Sequence, residues 1–98
     1  MFAIIWRYEV KEEARSAFEV AYGPTGAWAQ LFARSAGFRG TELLRAEDGS
    51  YLTLDVWREQ ADFDCFMGEH GADYQALDRG TEGWTRSEHR IGSFEVLS

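Results

Sequence analysis

The sequence predicts an α+β domain with the ferredoxin-like order βαββαβ, in which two helices cover one face of a four-stranded antiparallel sheet. Three observations lead to this fold. Apolar residues alternate in four segments and recur at helical spacing between them. The pair Asp48-Gly49, between the two middle strands, is typical of a tight hairpin. The 98 residues can build one core only, so we expect a single domain over residues 1–98.

The first strand is predicted over Phe2–Val10, where every second residue is apolar or aromatic on one face. A helix follows, because apolar residues then recur every three or four positions. They are Ala14, Ala17, Phe18, Ala21 and Tyr22. Gly23-Pro24 interrupts this helix, since proline clashes with the preceding turn. A second segment carries Trp28, Leu31 and Phe32 and is predicted to end at Gly37.

The middle strands are predicted over residues 38–46 and 51–57, paired antiparallel through the Asp48-Gly49 turn. In the second of them Leu52, Leu54 and Val56 point to one face, and the residues between them point to the other. That other face includes Asp55. A carboxylate on a covered sheet face must be wet, paired or next to a cavity. We favour a cavity.

Helical spacing returns from Glu59 onward, and the apolar stripe includes His70. The stripe consists of Phe63, Phe66, Met67, His70, Tyr74 and Leu77. The helix either continues through Gly68 and Gly71 or breaks there into two pieces. Residues 79–83 are predicted as a loop and residues 84–97 contain the last strand. Cys65 is predicted to be a small buried hydrophobe.

Two helices cover only one face of a four-stranded sheet, and large side chains occur on the other face as well. An open apolar surface of this kind is rare on a monomer. The sequence therefore predicts a homodimer in which two sheets pack face to face.

Composition excludes several classes of function. A net charge of −7 with scattered basic residues argues against nucleic acid and membrane surfaces as partners. One cysteine and two histidines, without close spacing to other ligands, predict no metal site, and no glycine-rich phosphate loop follows a strand. The lone cysteine, the lack of a signal-peptide pattern at the N-terminus and the lack of a long apolar run predict a cytoplasmic protein.

Several motifs resemble the antibiotic biosynthesis monooxygenase superfamily of dimeric α/β barrels, along nearly the whole chain. The motifs are Phe18-Glu19-x-x-Tyr22-Gly23-x-x-Gly26-x-Trp28-x-x-Leu31-Phe32, Gly40-Thr41-Glu42-Leu43-Leu44, Asp55-x-Trp57 followed by Phe63 and Phe66, and Tyr74-x-x-Leu77-Asp78. The resemblance implies ferredoxin-like monomers that dimerise sheet to sheet and bind a ligand between sheet and helices. Trp57 matches a family position that recurs as a cavity wall.

The resemblance implies a cofactor-independent monooxygenase acting on a small planar phenol-like or quinol-like molecule, without metal or flavin. Family members that degrade haem resemble one another in an Asn, Trp and His set. This chain contains no asparagine, so haem degradation is disfavoured. A non-catalytic dimer that binds a small hydrophobic molecule is the alternative, and a structural protein whose own aromatics fill the cavity is a third.

His70 and Asp55 are the candidate catalytic residues, because oxygenation of a phenol requires a base. His70 could instead hydrogen-bond the backbone at the glycine break. For Asp55 the favoured interpretation is an ion pair with Arg7, Arg86 or Arg90 on a neighbouring strand. The candidate substrate-binding residues are mostly aromatic, and each could equally belong to the core or, for the arginine, to an ion pair. They are Tyr22, Trp28, Trp57, Phe66, Tyr74 and Arg90. Trp6 is assigned to the core or the dimer face.

Overall fold

A computed structural model describes residues Met1–Leu97 and has the predicted ferredoxin-like arrangement. Its elements are β1 (Phe2–Val10), α1 (Arg15–Tyr22), α2 (Ala27–Phe32), β2 (Phe38–Arg45), β3 (Tyr51–Trp57), α3 (Gln60–Thr81) and β4 (Thr85–Glu95). Short 3-10 turns at Glu12–Ala14 and Glu82–Trp84 precede α1 and β4. The strand order is β2-β3-β1-β4, with every neighbouring pair antiparallel. The predicted α+β fold class is confirmed.

The hairpin between β2 and β3 turns where the sequence predicted. The Ala46 N–H donates to the Ser50 carbonyl oxygen at 2.8 Å, and Gly49 has a φ of 87°, which a residue without Cβ adopts without strain. This turn sets the register, so that Thr41 lies opposite Asp55.

The helices cover one face of the sheet. On β3 the four residues on that face are buried, whereas the residues between them are half-buried on the opposite face. The buried residues are Tyr51, Thr53, Asp55 and Trp57. The cross-strand partners on β1 are Tyr8, Trp6, Ile4 and Phe2, in the same order. The space between this face and the helices holds both the core and the site.

The segment after Trp28 differs from the prediction, because α2 ends at Phe32 and not at Gly37. Gly37 instead allows the backbone before β2 to approach the start of α3 closely. A Cβ at this position would lie 2.2 Å from Cγ of Asp62 at the start of α3.

Helix α3 is longer than predicted, and the loop predicted for residues 79–83 is wrong. Thr81 is buried, and its hydroxyl donates to the Leu77 carbonyl oxygen at 3.1 Å and accepts a hydrogen bond from the Tyr22 hydroxyl, so the last turn of the helix packs against α1. Of the two predicted alternatives, the structure has the break: α3 consists of two helical pieces that meet at a kink at His70 (φ −123°, ψ 19°), between Gly68 and Gly71.

Two small residues that were predicted to be buried are exposed, namely Ala17 and Cys65. Each lies on the outer side of its helix, because the neighbouring Phe18 and Phe66 occupy the core-facing positions. On these helices the aromatic residues therefore predicted the buried side more reliably than the small apolar residues beside them.

The second face of the sheet has no helix on it. Ile5 and Leu54 are cross-strand neighbours at its centre and are half-buried, while Leu44 and Phe94 on the outer strands are exposed. Within residues 1–97, none of the helices has the length and apolar character that a membrane crossing requires.

Candidate functional site

A cavity of about 280 Å³ lies between the helix-covered face of the sheet and the helices. Its walls contain six aromatic residues, three carboxylic acids and two threonines. The lining residues are Trp6, Tyr8, Tyr22, Trp28, Phe32, Thr41, Thr53, Asp55, Tyr74, Asp78 and Glu88. The volume is close to the lower end of small-molecule sites.

Asp55 is the only ionisable carboxyl that β3 contributes to this cavity, and it is 9% exposed. The Thr41 hydroxyl donates to its Oδ1 at 2.7 Å, and no other hydrogen-bond donor to this carboxyl is found among residues 1–97. Burial raises the pKa of Asp55 to about 6, while the bond from Thr41 acts in the opposite direction. Its second oxygen is thus available to a molecule in the cavity.

The ion pair with an arginine that the sequence favoured for Asp55 is absent from the part of the chain that the structure describes. Arg7 instead contacts Glu9 and Asp48. Asp55 is therefore a buried carboxyl whose protein partner, Thr41, is neutral. Such a group can exchange a proton near neutral pH.

The tyrosine hydroxyls of the cavity differ in their partners. Tyr8 shares a hydrogen bond of 3.2 Å with Thr53, and Tyr22 donates to Thr81 at 3.1 Å. For the Tyr74 hydroxyl, no protein partner occurs between Met1 and Leu97. Burial and the nearby charge of Asp78 raise the pKa of Tyr74 to about 12, so it remains protonated and can donate to a ligand.

Trp28 joins the aromatic wall to the helices. Its ring meets Tyr74 edge to face, with centroids 5.0 Å apart, and lies 5.8 Å from Tyr22. The indole N–H of Trp28 is buried and has no hydrogen-bond partner in the described chain. Burial raises the pKa of Tyr22 to about 12, and the nearby indole N–H of Trp28 acts in the opposite direction.

Asp78 on α3 and Glu88 on β4 line the cavity from two other elements. Burial raises the pKa of Glu88, and the charge of Asp78 raises it further. Glu88 lies opposite Tyr8 in the register of β4 with β1, which directs it to the helix-covered face. The two carboxyls, together with Asp55, give the cavity an acidic character.

Of the eight site residues that the sequence predicted, four line the cavity and four do not. Asp55, Tyr22, Trp28 and Tyr74 are brought together. Trp57, Phe66, His70 and Arg90 are not among the lining residues.

Trp57 is fully buried in a solid aromatic cluster. Its ring lies 5.4 Å from Phe32, 5.1 Å from Phe38 and 5.5 Å from Phe66, measured between centroids. Those rings fill the space beside the end of β3. The cavity therefore opens two residues earlier in the strand than the resemblance implied.

His70 and Arg90 lie near the site but outside it. The His70 ring packs on Phe66 with centroids 5.3 Å apart, and its Nε2 is 3.9 Å from Glu69 Oε2. Arg90 is exposed on the edge strand β4, opposite Trp6, and its charge opposes the rise in the pKa of Tyr74.

Seven lining residues were absent from the predicted site. For some of them, a pattern in the sequence could have predicted their position in the cavity. Counting back along both strands from the Asp48-Gly49 turn would have paired Thr41 with Asp55. Trp6 alternates in phase with Tyr8, and the pairing of β1 with β3 places it opposite Thr53. Asp78 lies one helical turn after Tyr74 and belongs to the motif Tyr74-x-x-Leu77-Asp78, so it had a signal as well. Glu88 had no such signal, since its approach depends on a register shift in β4.

Comparison with known proteins identifies the family. A family model described as antibiotic biosynthesis monooxygenase matches residues 1–76, which is more than half of the chain. The chain belongs to this family. The matched range of this antibiotic biosynthesis monooxygenase domain includes Asp55 and Tyr74 and ends before Asp78 and Glu88.

Solved structures of the antibiotic biosynthesis monooxygenase fold are similar to this chain over almost its full length. SnoaB from Streptomyces nogalater, a cofactor-independent oxygenase, is 22% identical with a TM-score of 0.71, covering 99% of this chain and 93% of SnoaB. Rv0793 from Mycobacterium tuberculosis is 21% identical with a TM-score of 0.70, covering 99% and 95%. A variant of MhuD with manganese protoporphyrin IX bound is 21% identical with a TM-score of 0.69, covering 100% and 96%.

At these identities the structural similarity establishes the fold and leaves the reaction open. None of the curated proteins compared with this chain matches it. Within the described residues, no group of three or more His, Cys, Asp or Glu side chains is arranged to hold a metal ion.

Proposed function

We propose that this protein is a cofactor-independent monooxygenase that binds a small planar phenol or quinol in the cavity beside Asp55. Two observations support the proposal. The chain belongs to the antibiotic biosynthesis monooxygenase family, and a structurally similar protein, SnoaB, is described as a cofactor-independent oxygenase. The cavity joins aromatic walls to one buried carboxyl that can take up a proton.

The chemistry requires little from the protein, because the deprotonated substrate supplies the electrons. For a quinol, the balanced reaction consumes one O₂ and yields a hydroxyquinone and one water. One oxygen atom enters a new C–O bond, which replaces a C–H bond, and the other leaves as water. All the electrons that O₂ takes up come from the ring. The enzyme must therefore supply a base, a donor for the oxygen anion and a dry enclosure.

The buried carboxyl of Asp55 is the observation on which the proposal rests. With its Oδ1 held by Thr41, its Oδ2 can accept the phenolic proton. The Tyr74 hydroxyl is the candidate donor to an oxygen anion, since it is protonated and unengaged within residues 1–97. Trp6 and Trp28 are the candidate ring contacts. We assign the base to Asp55 and not to His70, because His70 lies outside the cavity lining.

Oxygen uptake with a panel of quinols and anthrones tests the proposal. We expect turnover by the unmodified protein, and a loss of about 100-fold in kcat for Asp55→Asn, the typical share of general-base catalysis. Asp64→Asn, which makes the same chemical change at an exposed position of α3, should leave the rate unchanged. The rate should fall as the pH drops below about 6, where Asp55 becomes protonated, and Asp55→Asn should lack this limb.

The same experiment separates the enzyme from a non-catalytic binding protein. Binding of the quinols without any oxygen uptake would favour the binding protein, which needs the cavity but no base. Turnover that Asp55→Asn does not change would contradict the role of Asp55.

We also propose that the protein is a homodimer through the open face of the sheet. Its support is the uncovered apolar surface centred on Ile5 and Leu54. Analytical ultracentrifugation at micromolar concentration should give the mass of two chains, and Leu54→Glu should give one. A monomeric unmodified protein would contradict this proposal. The cytoplasmic location remains a prediction.

A further inference from the structure

The cavity combines rings and acids in a way that favours one sign of ligand charge. Its lining contains six aromatic rings and three carboxyls, and among the described lining residues there is no Lys, Arg or His. The carboxyls come from three different elements: Asp55 from β3, Asp78 from α3 and Glu88 from β4. They therefore surround the space instead of lying on one side of it.

The electrostatic effects on Tyr74 show that these carboxyls act on a common region. After burial, the charges of Asp78, Asp55 and Glu88 each raise the pKa of the Tyr74 hydroxyl. The opposing charge is that of Arg90, which is exposed on β4 outside the lining. Three of the four charges that act on the Tyr74 hydroxyl are therefore negative.

Such an excess of negative charge discriminates between ligands. An anionic group entering the cavity would be repelled by the buried Asp55, and by the half-buried Asp78 and the exposed Glu88 at its rim, which costs binding energy. A cationic group would pair with Asp55, whose buried carboxyl has only the neutral Thr41 as its partner. It would also be attracted by the faces of the surrounding rings, of which Trp binds cations best.

We propose that the cavity selects an aromatic ligand that carries a protonated amine, so that the substrate is a phenol or quinol with a basic group. This inference rests on the proposed function in taking the cavity as the substrate site. The aromatic walls hold the ring, and the carboxyls hold the ammonium group. Asp78 and Glu88 lie beyond residues 1–76, so two of the three carboxyls that select the charge are outside the family match, whereas Asp55 is inside it.

Three probes of one shape and different charge test the inference, namely naphthylmethylamine, naphthylmethanol and naphthoate. Their binding is measured by isothermal titration calorimetry at about pH 7.5, where the amine is protonated and the acid ionised. We expect the amine to bind about tenfold more tightly than the alcohol, and naphthoate to bind at least about tenfold more weakly than the alcohol.

The acidic residues outside the proposed catalytic step are then neutralised together. In Asp78→Asn with Glu88→Gln, the ratio of amine to alcohol affinity should fall several-fold, because the amine loses more affinity than the neutral alcohol does. The matched control is Glu13→Gln with Asp64→Asn, which removes the same two charges from exposed sites on other surfaces. It should keep the ratio. Equal binding of amine and alcohol, tighter binding of naphthoate, or an equal effect of the control pair would overturn the inference.

These measurements do not depend on turnover, since none of the probes is a phenol. A preference for the amine without oxygen uptake on any quinol would support the charge selection and contradict the monooxygenase. Oxygen uptake without a preference for the amine would support the monooxygenase and contradict the charge selection.

Discussion

Asp55 and Trp57 lie two residues apart on the same face of β3, yet their surroundings are opposite. Beside Trp57 the rings of Phe32, Phe38 and Phe66 fill the space completely. Beside Asp55 there is a cavity of about 280 Å³. Around Trp57 this face stabilises the fold, and around Asp55 it is open to a ligand.

The difference arises from the helices above the strand and not from the strand itself. Near Trp57, α2 and α3 both direct phenylalanines at the sheet, namely Phe32 and Phe66. Near Asp55 the neighbouring residues on the sheet are the short Thr41 and Thr53, which leave room between sheet and helices. On this sheet face the large aromatic residue Trp57 belongs to the filled core. The buried acid Asp55, next to two threonines, lies at the cavity.

The largest expected difference is between the stabilities of two variants, one with Trp57 replaced and one with Trp6 replaced. We expect Trp57→Ala to lower the free energy of unfolding by about 3–5 kcal/mol, because it leaves a void in a filled core. Trp6→Ala should cost only about 1–2 kcal/mol, because Trp6 is half-buried and already borders the cavity. Urea unfolding measures both.

A second pair of variants covers the case in which Trp57→Ala leaves too little folded protein to measure. Trp57→Phe with Trp6→Phe then makes the same comparison with smaller changes. Equal losses of unfolding free energy at the two positions would show that the surroundings of both tryptophans are equally well packed, which would contradict the structure.

The next effect is the pH dependence of stability that Asp55 contributes. Its pKa is raised from 3.8 to about 6, so the folded state holds the proton more tightly than the unfolded state. The stability from the neutral carboxyl is present below about pH 4 and is lost as the pH rises through about 6. Relative to the unmodified protein, Asp55→Asn should therefore gain about 2–3 kcal/mol in free energy of unfolding between about pH 4 and pH 7.5.

Urea titrations at several pH values measure this gain. Asp64→Asn is the control, since Asp64 is exposed and the same substitution there should give no such trend. A difference between Asp55→Asn and the unmodified protein that does not vary with pH would mean that Asp55 is well solvated when folded.

The smallest effect concerns the hydrogen bond from Thr41 to Asp55. In the unmodified protein the hydrogen bond from Thr41 lowers the pKa of Asp55. Thr41→Val keeps the shape of the side chain and removes this donor. We expect the pKa to rise by about one further unit, equivalent to about 1.4 kcal/mol. Carbon NMR of the Asp55 carboxyl measures it.

Thr53→Val provides the matched control, because Thr53 lines the same cavity and pairs with Tyr8 instead of Asp55. The Asp55 pKa should be nearly unchanged in this variant. An identical shift in both variants would mean that the titration responds to cavity polarity alone.

Much of the fold could be predicted from the sequence, because strand alternation, helical spacing and a hairpin turn are local patterns. Asp55 could be predicted for the cavity by the same reasoning, since a carboxylate is out of place on a covered strand face. Tyr22, Trp28 and Tyr74 were also placed correctly on its walls.

The extent of the cavity could not be predicted, because it depends on how elements far apart in sequence meet. His70 has helical spacing consistent with the apolar stripe, but the helix is irregular at that residue and its ring packs on Phe66. Glu88 reaches the site because β4 pairs with β1 in a shifted register. This shift has no local sequence signal.

A crystal structure of the protein with naphthylmethanol bound shows directly whether the cavity beside Asp55 binds a planar ring, because this probe is neutral and needs no turnover. We expect the naphthyl ring between Trp6, Trp28 and Tyr74, with its hydroxyl within about 3 Å of an Asp55 carboxyl oxygen. A ring bound elsewhere, or side chains that close the cavity and leave Asp55 walled off, would contradict the account.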